Sequence, residues 1–349
     1  MKSFDEKLES PFIMNPSRFE SGAVGGWKEL GRTTLGIAGD TIDVSSLPDK
    51  RYYMVLGHTI SSGNTQQDLR LNGDSANNYA YRVSQDGGAD VTGSANRGFL
   101  LSGGVSTTTD FGVGYLSNLS TKEKLVIGHA VSQSTAGAGT APSRGENVTK
   151  WVNTTDVINA IQSFNAQSGN FASGSEVVVL GWDTADIHTT NFWEELASAD
   201  LSGGASDTLS SGTFTSKKYL WVQYYLKASG TVDDRIEFNN DTDTNYSNRR
   251  SDNGAADVIG VNKTVIAPNA SITTSAFTNL FIINNSANEK LVIYNSIEQN
   301  TSGSGTAPIR VEGVGKWDSI VSQISRIDIE NSAGGSYDTP SRMKVWGAN

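Results

Sequence analysis

Three oxygen-bearing side chains alternate within one short polar segment, at Asp241, Asp243 and Asn245. This spacing is typical of the beginning of a calcium-binding loop, because calcium prefers carboxylate and amide oxygens as ligands. The glycine and the distal glutamate of an EF-hand are missing at their expected places. Asn and Asp side chains also bond to their own backbone in tight turns between strands. We expect such a turn here and keep calcium as a second hypothesis.

Residue types that commonly carry catalysis are scarce in this sequence. The histidines are His58, His129 and His188, and none has the spacing of a zinc-binding HExxH motif. There is no cysteine and no GxSxG motif to supply a nucleophile. No recurring pair of acidic residues stands out for glycoside hydrolysis. We therefore predict that the protein is not an enzyme and has no cofactor apart from the calcium hypothesis.

A glycine-rich loop at residues 137–142 returns at residues 303–308. Such loops can bind phosphate, but this one lacks the Gly-Lys-Ser/Thr sequence and does not stand between a strand and a helix. We expect a long crossing between strands, after which an arginine and a glutamate pair across the next strand and a tryptophan enters the core or the sheet edge. These residues are Arg144, Glu146 and Trp151 in the first copy, and Arg310, Glu312 and Trp317 in the second.

Both loops recur because most of the sequence is duplicated. Residues 123–127, Glu-Lys-Leu-Val-Ile, return 166 positions later at 289–293, and the polar loop returns at an offset of 167. A repeat this long is the size of a whole domain, whereas solenoid repeats are much shorter. The recurring polar-loop residues are Asn72, Asp74, Asn78, Tyr79 and Arg82, and then Asn239, Asp241, Asn245, Tyr246 and Arg249.

The polar loop suggests a role for each recurring residue. We expect its tyrosine to pack at the edge of the sandwich and its arginine to brace the loop through an aspartate. Ala76 occupies the first-copy position that corresponds to Asp243, which weakens the case for a calcium site shared by both copies.

The elements that must position these loops are predicted to be strands. Aromatic, β-branched and alternating apolar segments recur in each copy, separated by Gly, Ser, Asn and Thr. Several short strands at regular spacing indicate antiparallel β-sandwiches of the jelly-roll type. The predicted strands include residues 52–56, 69–71, 125–127 and 176–181, and in the second copy 219–226, 235–238, 291–293 and 342–347.

One segment resembles a helix in the first copy only. Residues 154–164 read as a capped helix, whereas their counterpart at 320–329 alternates with a period of two and is rich in isoleucine. Two copies of one domain should share a fold, so we predict strands in both.

The predicted organisation is an all-β chain with three parts. Residues 1–26 form an extended N-terminal arm, residues 27–185 a first sandwich, and residues 193–349 a second sandwich that duplicates the first. The linker, around residues 183–192, is short enough to hold the two sandwiches in a defined relation.

Composition excludes several function classes. The 349 residues carry a formal charge of −10, which argues against nucleic acid as the main partner. The sequence lacks cysteine and therefore disulfides and thiolate metal sites. We find no apolar stretch long enough for a transmembrane helix and no secretory signal at the N-terminus, and therefore expect no membrane partner.

The recurring motifs resemble virion proteins of tailed bacteriophages, especially marine ones. The resemblance rests on the polar-loop pattern, on Glu-Lys-Leu-Val-Ile, and on the closing motif at residues 169–181, whose second copy departs at Pro340. It implies jelly-roll-like sandwiches displayed on a particle as capsid decoration or cement, or as a fibre or tail component.

What the resemblance implies about partners follows from that role. The chain would be made in the host cytoplasm and reside on the particle surface, bound to the major capsid protein or to other virion subunits, and as a homo-oligomer. It implies no catalytic residues.

Two alternatives stay open. A tail-fibre module could bind a host-surface glycan by stacking sugars on Trp193, Trp221 and Tyr246, although such aromatic side chains commonly fill a core. A double-jelly-roll capsid protein is the other alternative, but its two halves rarely look alike in sequence.

Overall fold

The computed structural model describes residues 26–102, 104–183, 186 and 191–349. The predicted arm lies outside the described residues except for Gly26, as do most of the predicted linker and His188. Below, the first repeat means residues 27–183 and the second repeat means residues 193–349.

Within the described residues the chain forms strands and no helix, which confirms the all-β prediction. The strands of the first repeat are β1 (Lys28–Thr34), β2 (Thr41–Val44), β3 (Tyr52–Ser62), β4 (Asp68–Leu71), β5 (Tyr79–Gln85), β6 (Val91–Ala95), β7 (Gly98–Phe99), β8 (Thr109–Ser117), β9 (Lys124–Ser132), β10 (Ser143–Trp151), β11 (Ile161–Phe164), β12 (Asn170–Phe171) and β13 (Glu176–Trp182).

The second repeat has the same order of strands along the chain, divided into 12 strands instead of 13. Its strands are β14 (Glu194–Asp200), β15 (Thr208–Thr213), β16 (Tyr219–Ser229), β17 (Val232–Phe238), β18 (Tyr246–Asp252), β19 (Val258–Lys263), β20 (Ile266–Ile272), β21 (Ser275–Ile283), β22 (Lys290–Glu298), β23 (Ile309–Trp317), β24 (Arg326–Glu330) and β25 (Ser336–Ala348).

Each repeat contains one large and one small antiparallel sheet. In the first repeat the large sheet has the order β1-β13-β3-β8-β9-β10-β5-β6, with β12 also paired to β3, and the small sheet has the order β2-β11-β4-β7. The second repeat matches with β14-β25-β16-β21-β22-β23-β18-β19 and β15-β24-β17-β20. The duplication in sequence is therefore a duplication of strand order.

Alternation along the central strands sends side chains to two different cores. On β3, Tyr53 and Val55 belong to a buried cluster that includes Leu69 of the small sheet. Met54, between them, belongs to another cluster, which also contains Ile293 of the second repeat. The large sheets of the two repeats thus pack against each other, and β3 and β13 of the first repeat are buried on both faces.

Burial on both faces explains the composition of β13. Its central residues, Val177 to Leu180, are all fully buried, because Val177 and Val179 face the small sheet whereas Val178 and Leu180 face the second repeat. A strand covered on both faces reads as a continuous apolar run instead of an alternating one.

The helix-like segment is neither a helix nor a full strand. The predicted strand at 154–164 is wrong for its first part, where residues 152–160 are irregular and only Ile161–Phe164 form β11. In the second repeat the strand begins at Arg326. The Asn153 side chain accepts backbone bonds from Thr155 and Asp156, which satisfies the backbone locally without a ladder.

Candidate functional site: recurrent loops and the contact between the repeats

The polar loop begins with a tight turn after β4. Asn72 and Gly73 both have positive φ, and the Asp74 amide donates to the Leu71 carbonyl over 3.0 Å. Positive φ at both central residues is the geometry that Asn-Gly favours. Asn239 and Asn240 adopt the same conformation after β17.

The carboxylate of Asp74 accepts three N–H bonds. One oxygen accepts from the Ala76 amide, and the other accepts from Asn78 Nδ2 over 2.9 Å and from Trp151 Nε1 over 2.7 Å. Burial opposes ionisation, but these bonds outweigh it and lower the pKa of Asp74. The loop is thereby fastened to the last residue of β10.

The second copy reproduces this arrangement bond for bond. Asp241 accepts from the Asp243 amide over 3.0 Å, from Asn245 Nδ2 over 2.9 Å and from Trp317 Nε1 over 2.6 Å. Both oxygens of Asp241 are therefore engaged by N–H donors, and the Asp243 side chain is exposed. In the described part of the chain no three His, Cys, Asp or Glu side chains cluster as a metal site would require. Calcium stays a prediction.

The recurring tyrosines are interior residues. The hydroxyl of Tyr79 accepts from the Leu71 amide over 2.9 Å, and its ring stacks on Trp151 with centroids 6.4 Å apart. The Tyr246 hydroxyl accepts from the Phe238 amide, and its ring stacks on Trp317 at 6.3 Å. Turn, aspartate, tyrosine and tryptophan therefore form one unit in each repeat.

The expectation that the recurring arginine braces this loop is wrong. Arg82 forms an exposed ion pair with Asp90, over 2.7 Å, next to the neighbouring strand β6. Arg249 instead reaches the other repeat, where it donates to the Pro142 carbonyl and lies 3.2 Å from Asp86. The side chains leave the loop because they stand on β5 and β18, beyond its last turn.

Sequence reasoning missed the lysine of the Glu-Lys-Leu-Val-Ile motif. Lys290 is fully buried and donates to the carbonyls of Asn288 and Ser319, while its ammonium lies over the Trp317 ring. Burial lowers the pKa of Lys290 to about 8. Lys124 makes the same contacts in the first repeat. Its recurrence at the start of an apolar strand was the available signal.

The glycine-rich loop of the first repeat is a contact to the second repeat. The Gly137 amide donates to a Glu289 carboxylate oxygen, and the buried Lys316 ammonium donates to the carbonyls of Gln133 and Thr135. The Asn262 amide donates to the Ala138 carbonyl over 2.9 Å. The copy of this loop, residues 301–308, is exposed throughout.

Arg144 follows this loop and pairs with carboxylates on both repeats. It contacts Glu146 on its own strand, so the predicted pairing across to the next strand is wrong. It also donates to Asp257 over 2.8 Å, and both side chains of that pair are almost fully buried. In the second repeat the Arg310 side chain is mostly exposed, with Glu312 3.5 Å away.

The structure describes two of the three histidines, His58 and His129. His58 is fully buried, and burial, followed by the charge of Lys218, lowers its pKa to about 3. Burial also lowers the pKa of His129, which lies near Arg144 and Glu312. Both side chains are therefore neutral at neutral pH.

Three aspartates are buried without full compensation. Burial raises the pKa of Asp68 and of Asp110 to about 7, against the charge of Arg97 in the first case and hydrogen bonds from Ser132 and Ser106 in the second. Asp234 is raised to about 6 by burial. Each of the three is less than 3% exposed.

Two of the three aromatic side chains considered for sugar stacking are buried and cannot stack on a sugar. Trp193 is buried in the contact between the repeats, and Tyr246 is buried inside the second repeat. Trp221 is half-buried, where its ring packs 5.6 Å from Phe281 and 5.1 Å from Trp346.

One apolar surface of the large sheet is open in the first repeat. We call it the first-repeat face; it consists of Trp27, Tyr52, Tyr115, Leu125, Ile127 and Val148. An open groove of about 460 Å³ lies on it, and Trp182 lines this groove with its ring stacked on Tyr52 at 5.7 Å. Contiguous apolar surface of this kind is typical of an interaction site.

Comparison with known proteins identifies no relative. No model of a protein family and no curated protein matches the chain. The solved structure of Ail, the attachment invasion locus protein of Yersinia pestis, aligns at 7% identity over 82% of this chain and 100% of its own, with a TM-score of 0.13. Neisserial surface protein A aligns at 4% identity over 81% of this chain and 99% of its own, with a TM-score of 0.14. Scores this low carry no argument about function.

Within the described residues, no helix has the length and apolar character needed to span a membrane.

Proposed function

We propose that this protein is a non-enzymatic structural subunit of a tailed-bacteriophage particle. It binds the outside of the capsid as a decoration or cement subunit and stabilises the shell. In this proposal each repeat is a jelly-roll-like sandwich, in which the small sheet covers one face of the large sheet. Residues 1–26 act as an arm that pins the subunit to its neighbours.

The observation that carries this proposal is the nature of the groups that the two repeats share. The recurring aspartate, tyrosine, tryptophan and lysine side chains are all engaged in holding loops to strands. The buried histidines and aspartates do not recur, since Tyr225 and Ala276 stand in the places of His58 and Asp110. A duplication that preserves only the scaffold supports a role in shape and attachment. The resemblance of the sequence motifs to virion proteins is the reason for proposing a phage particle.

The tail-fibre alternative has less support than the capsid role. Two of its three proposed stacking side chains are buried, and the lining of the open groove is almost entirely apolar. Sugar sites need carboxylate or amide groups to orient the hydroxyls. A glycan-binding screen with no hits would retire this alternative.

Imaging tests the proposal directly. Purified full-length protein is added to capsids that lack it, and occupancy is measured by electron microscopy together with the temperature at which the shells break. We expect density at regular positions on the shell and a higher breaking temperature. The matched comparison is a chain that begins at residue 26, which keeps every described strand and should bind with lower occupancy. Shells left undecorated and unchanged in stability by the full chain would refute the proposal.

A further inference from the structure

The contact between the repeats is asymmetric, because the two large sheets use different parts of their equivalent faces. The second repeat contributes Leu291, Ile293 and Val314, which are at most 4% exposed. Their first-repeat equivalents, at an offset of 166, are Leu125, Ile127 and Val148, which are 57%, 53% and 46% exposed. The first-repeat face is thus the copy of a surface that is buried in the second repeat, and no described residue covers it.

The reverse holds for the surface that receives this contact. The first repeat contributes Phe111 and Val131, which are fully buried and pair with each other between β8 and β9. Their second-repeat equivalents, Phe277 and Ile297, pair in the same register but are 42% and 46% exposed. We call the surface around them the second-repeat face; it also includes Gln223, Asn279 and Lys344.

Each molecule therefore carries one free copy of each side of its own internal contact. We infer that the first-repeat face of one molecule docks on the second-repeat face of another copy of this chain, in the geometry that joins the two repeats. In the internal contact the Tyr219 ring lies 6.3 Å from Phe111. The intermolecular equivalent places Tyr52 of one copy against Phe277 of the next.

Polar contacts beside the apolar surfaces also have equivalents in both repeats. Internally, Glu289 and Lys316 hold the glycine-rich loop of the first repeat. Their equivalents, Glu123 and Lys150, form a half-exposed ion pair over 3.2 Å beside the first-repeat face. The loop copy that they would hold, residues 301–308, is exposed.

A buried ion pair of the internal contact also has a complementary copy. Arg144 and Asp257 form the internal pair, and their equivalents in the other repeat are Arg310 and Asp90. In the intermolecular contact Arg310 of one copy would pair with Asp90 of the next, and the signs of charge are the same. Side chains of both residues are accessible, since Arg310 is mostly exposed and Asp90 makes only a surface pair with Arg82.

The intermolecular contact should be weaker than the internal one. Gln223, Asn279 and Lys344 replace Leu56, Val113 and Val178, so the second-repeat face has less apolar area to bury. We therefore expect reversible association, with a Kd of roughly micromolar order. Because the contact joins two different faces, it propagates head to tail into rings or filaments. This inference does not depend on the proposed capsid role.

Sedimentation velocity on the full chain over a wide range of concentration tests the inference. Two variants each place a carboxylate on one face, Ile127→Asp on the first-repeat face and Ile297→Asp on the second-repeat face. Both positions are exposed, so folding should be unchanged, which circular dichroism checks. Val321→Asp is the matched control, because Val321 is 85% exposed and lies outside both faces.

We expect the average mass of the wild type and of Val321→Asp to rise with concentration, while each face variant stays monomeric. An equimolar mixture of the two face variants should form a dimer and nothing larger, because one intact face of each kind remains. A wild type that is monomeric at every concentration would overturn the inference. Loss of association in Ile127→Asp but not in Ile297→Asp would also overturn it, in favour of the first-repeat face pairing with itself.

A third outcome concerns residues 1–25, which precede Trp27 of the first-repeat face in the sequence. If the chain that begins at residue 26 associates whereas the full chain does not, residues 1–25 are the occupant of this face and the inference fails. Capsid binding is measured separately, so failure of self-association leaves the proposed function standing, and the reverse also holds.

Discussion

Asp241 and Asp243 stand two residues apart but have different functions in the polar loop. Asp241 accepts three N–H bonds and ties the loop to Trp317, whereas the exposed Asp243 contributes only its backbone amide to this unit. The loop geometry therefore depends on the first carboxylate and not on the second.

This difference gives a prediction that also tests calcium. Asp241→Ala should lower the free energy of unfolding by roughly 2–4 kcal/mol, because it removes bonds to a charged acceptor and leaves Trp317 Nε1 without a partner. Asp243→Ala should change it by less than about 0.5 kcal/mol. Urea unfolding with and without a chelator measures both. A free energy of unfolding that falls on chelation, together with a destabilised Asp243→Ala, would contradict this interpretation and support a calcium site.

Asp110 makes stability depend on pH. Burial raises its pKa in the folded chain to about 7, whereas an aspartate in the unfolded chain titrates near 4. Between these values the folded state keeps a proton that the unfolded state has released, so stability falls as the pH rises. The slope is about −1.4 kcal/mol for each pH unit, and the loss is complete above the folded pKa.

Asp110→Asn should remove this contribution, so its stability relative to the wild type should increase between pH 5 and pH 8, a range of about three units around the folded pKa. Urea unfolding at both pH values measures the difference. Asp200→Asn is the control, since the Asp200 pKa is lowered, and its contribution changes only at more acidic pH. Parallel pH dependence in Asp110→Asn and the wild type would contradict the prediction.

At the scale of strands, the sequence predicts most clearly those elements whose own residues are apolar. The predicted strands at residues 125–127 and 291–293 lie within β9 and β22, and those at 176–181 and 342–347 lie within β13 and β25. By contrast β10, Ser-Arg-Gly-Glu-Asn-Val-Thr-Lys-Trp, was not among the predicted strands, because its buried residues Asn147 and Thr149 are polar and donate to backbone carbonyls of the first repeat. The periodic pattern of apolar residues identifies only those strands whose side chains pack against apolar neighbours.

The two glycine-rich loops show why local sequence could not predict the site fully. Residues 137–142 and 303–308 are nearly identical, yet only the first is docked on the other repeat. The recurrence of the polar loop was sufficient to predict its turn, because Asn72 and Asp74 act on their own neighbours. Which surfaces are covered depends on how the repeats pack, and that information is not local.

At the scale of the whole molecule, the contact between the repeats is a core in its own right. Its buried cluster includes large side chains such as Phe111, Trp193 and Tyr219, and it is continuous with both large sheets. The repeats cannot separate without exposing this surface to water. We therefore expect the two repeats to unfold together, in one calorimetric transition with equal calorimetric and van't Hoff enthalpies.

A charge placed in this contact should uncouple the repeats. Ile293 is 4% exposed and points away from the core inside its own repeat, so Ile293→Asp buries a carboxylate only while the repeats are packed together. Differential scanning calorimetry of dilute protein should show a lower Tm and two resolved transitions. Ile127→Asp is the matched control, because it makes the same change at the equivalent, exposed position and should keep one transition near the wild-type Tm. An unchanged single transition in Ile293→Asp would contradict this coupling, because the contact between the repeats would then contribute little to the stability of either repeat.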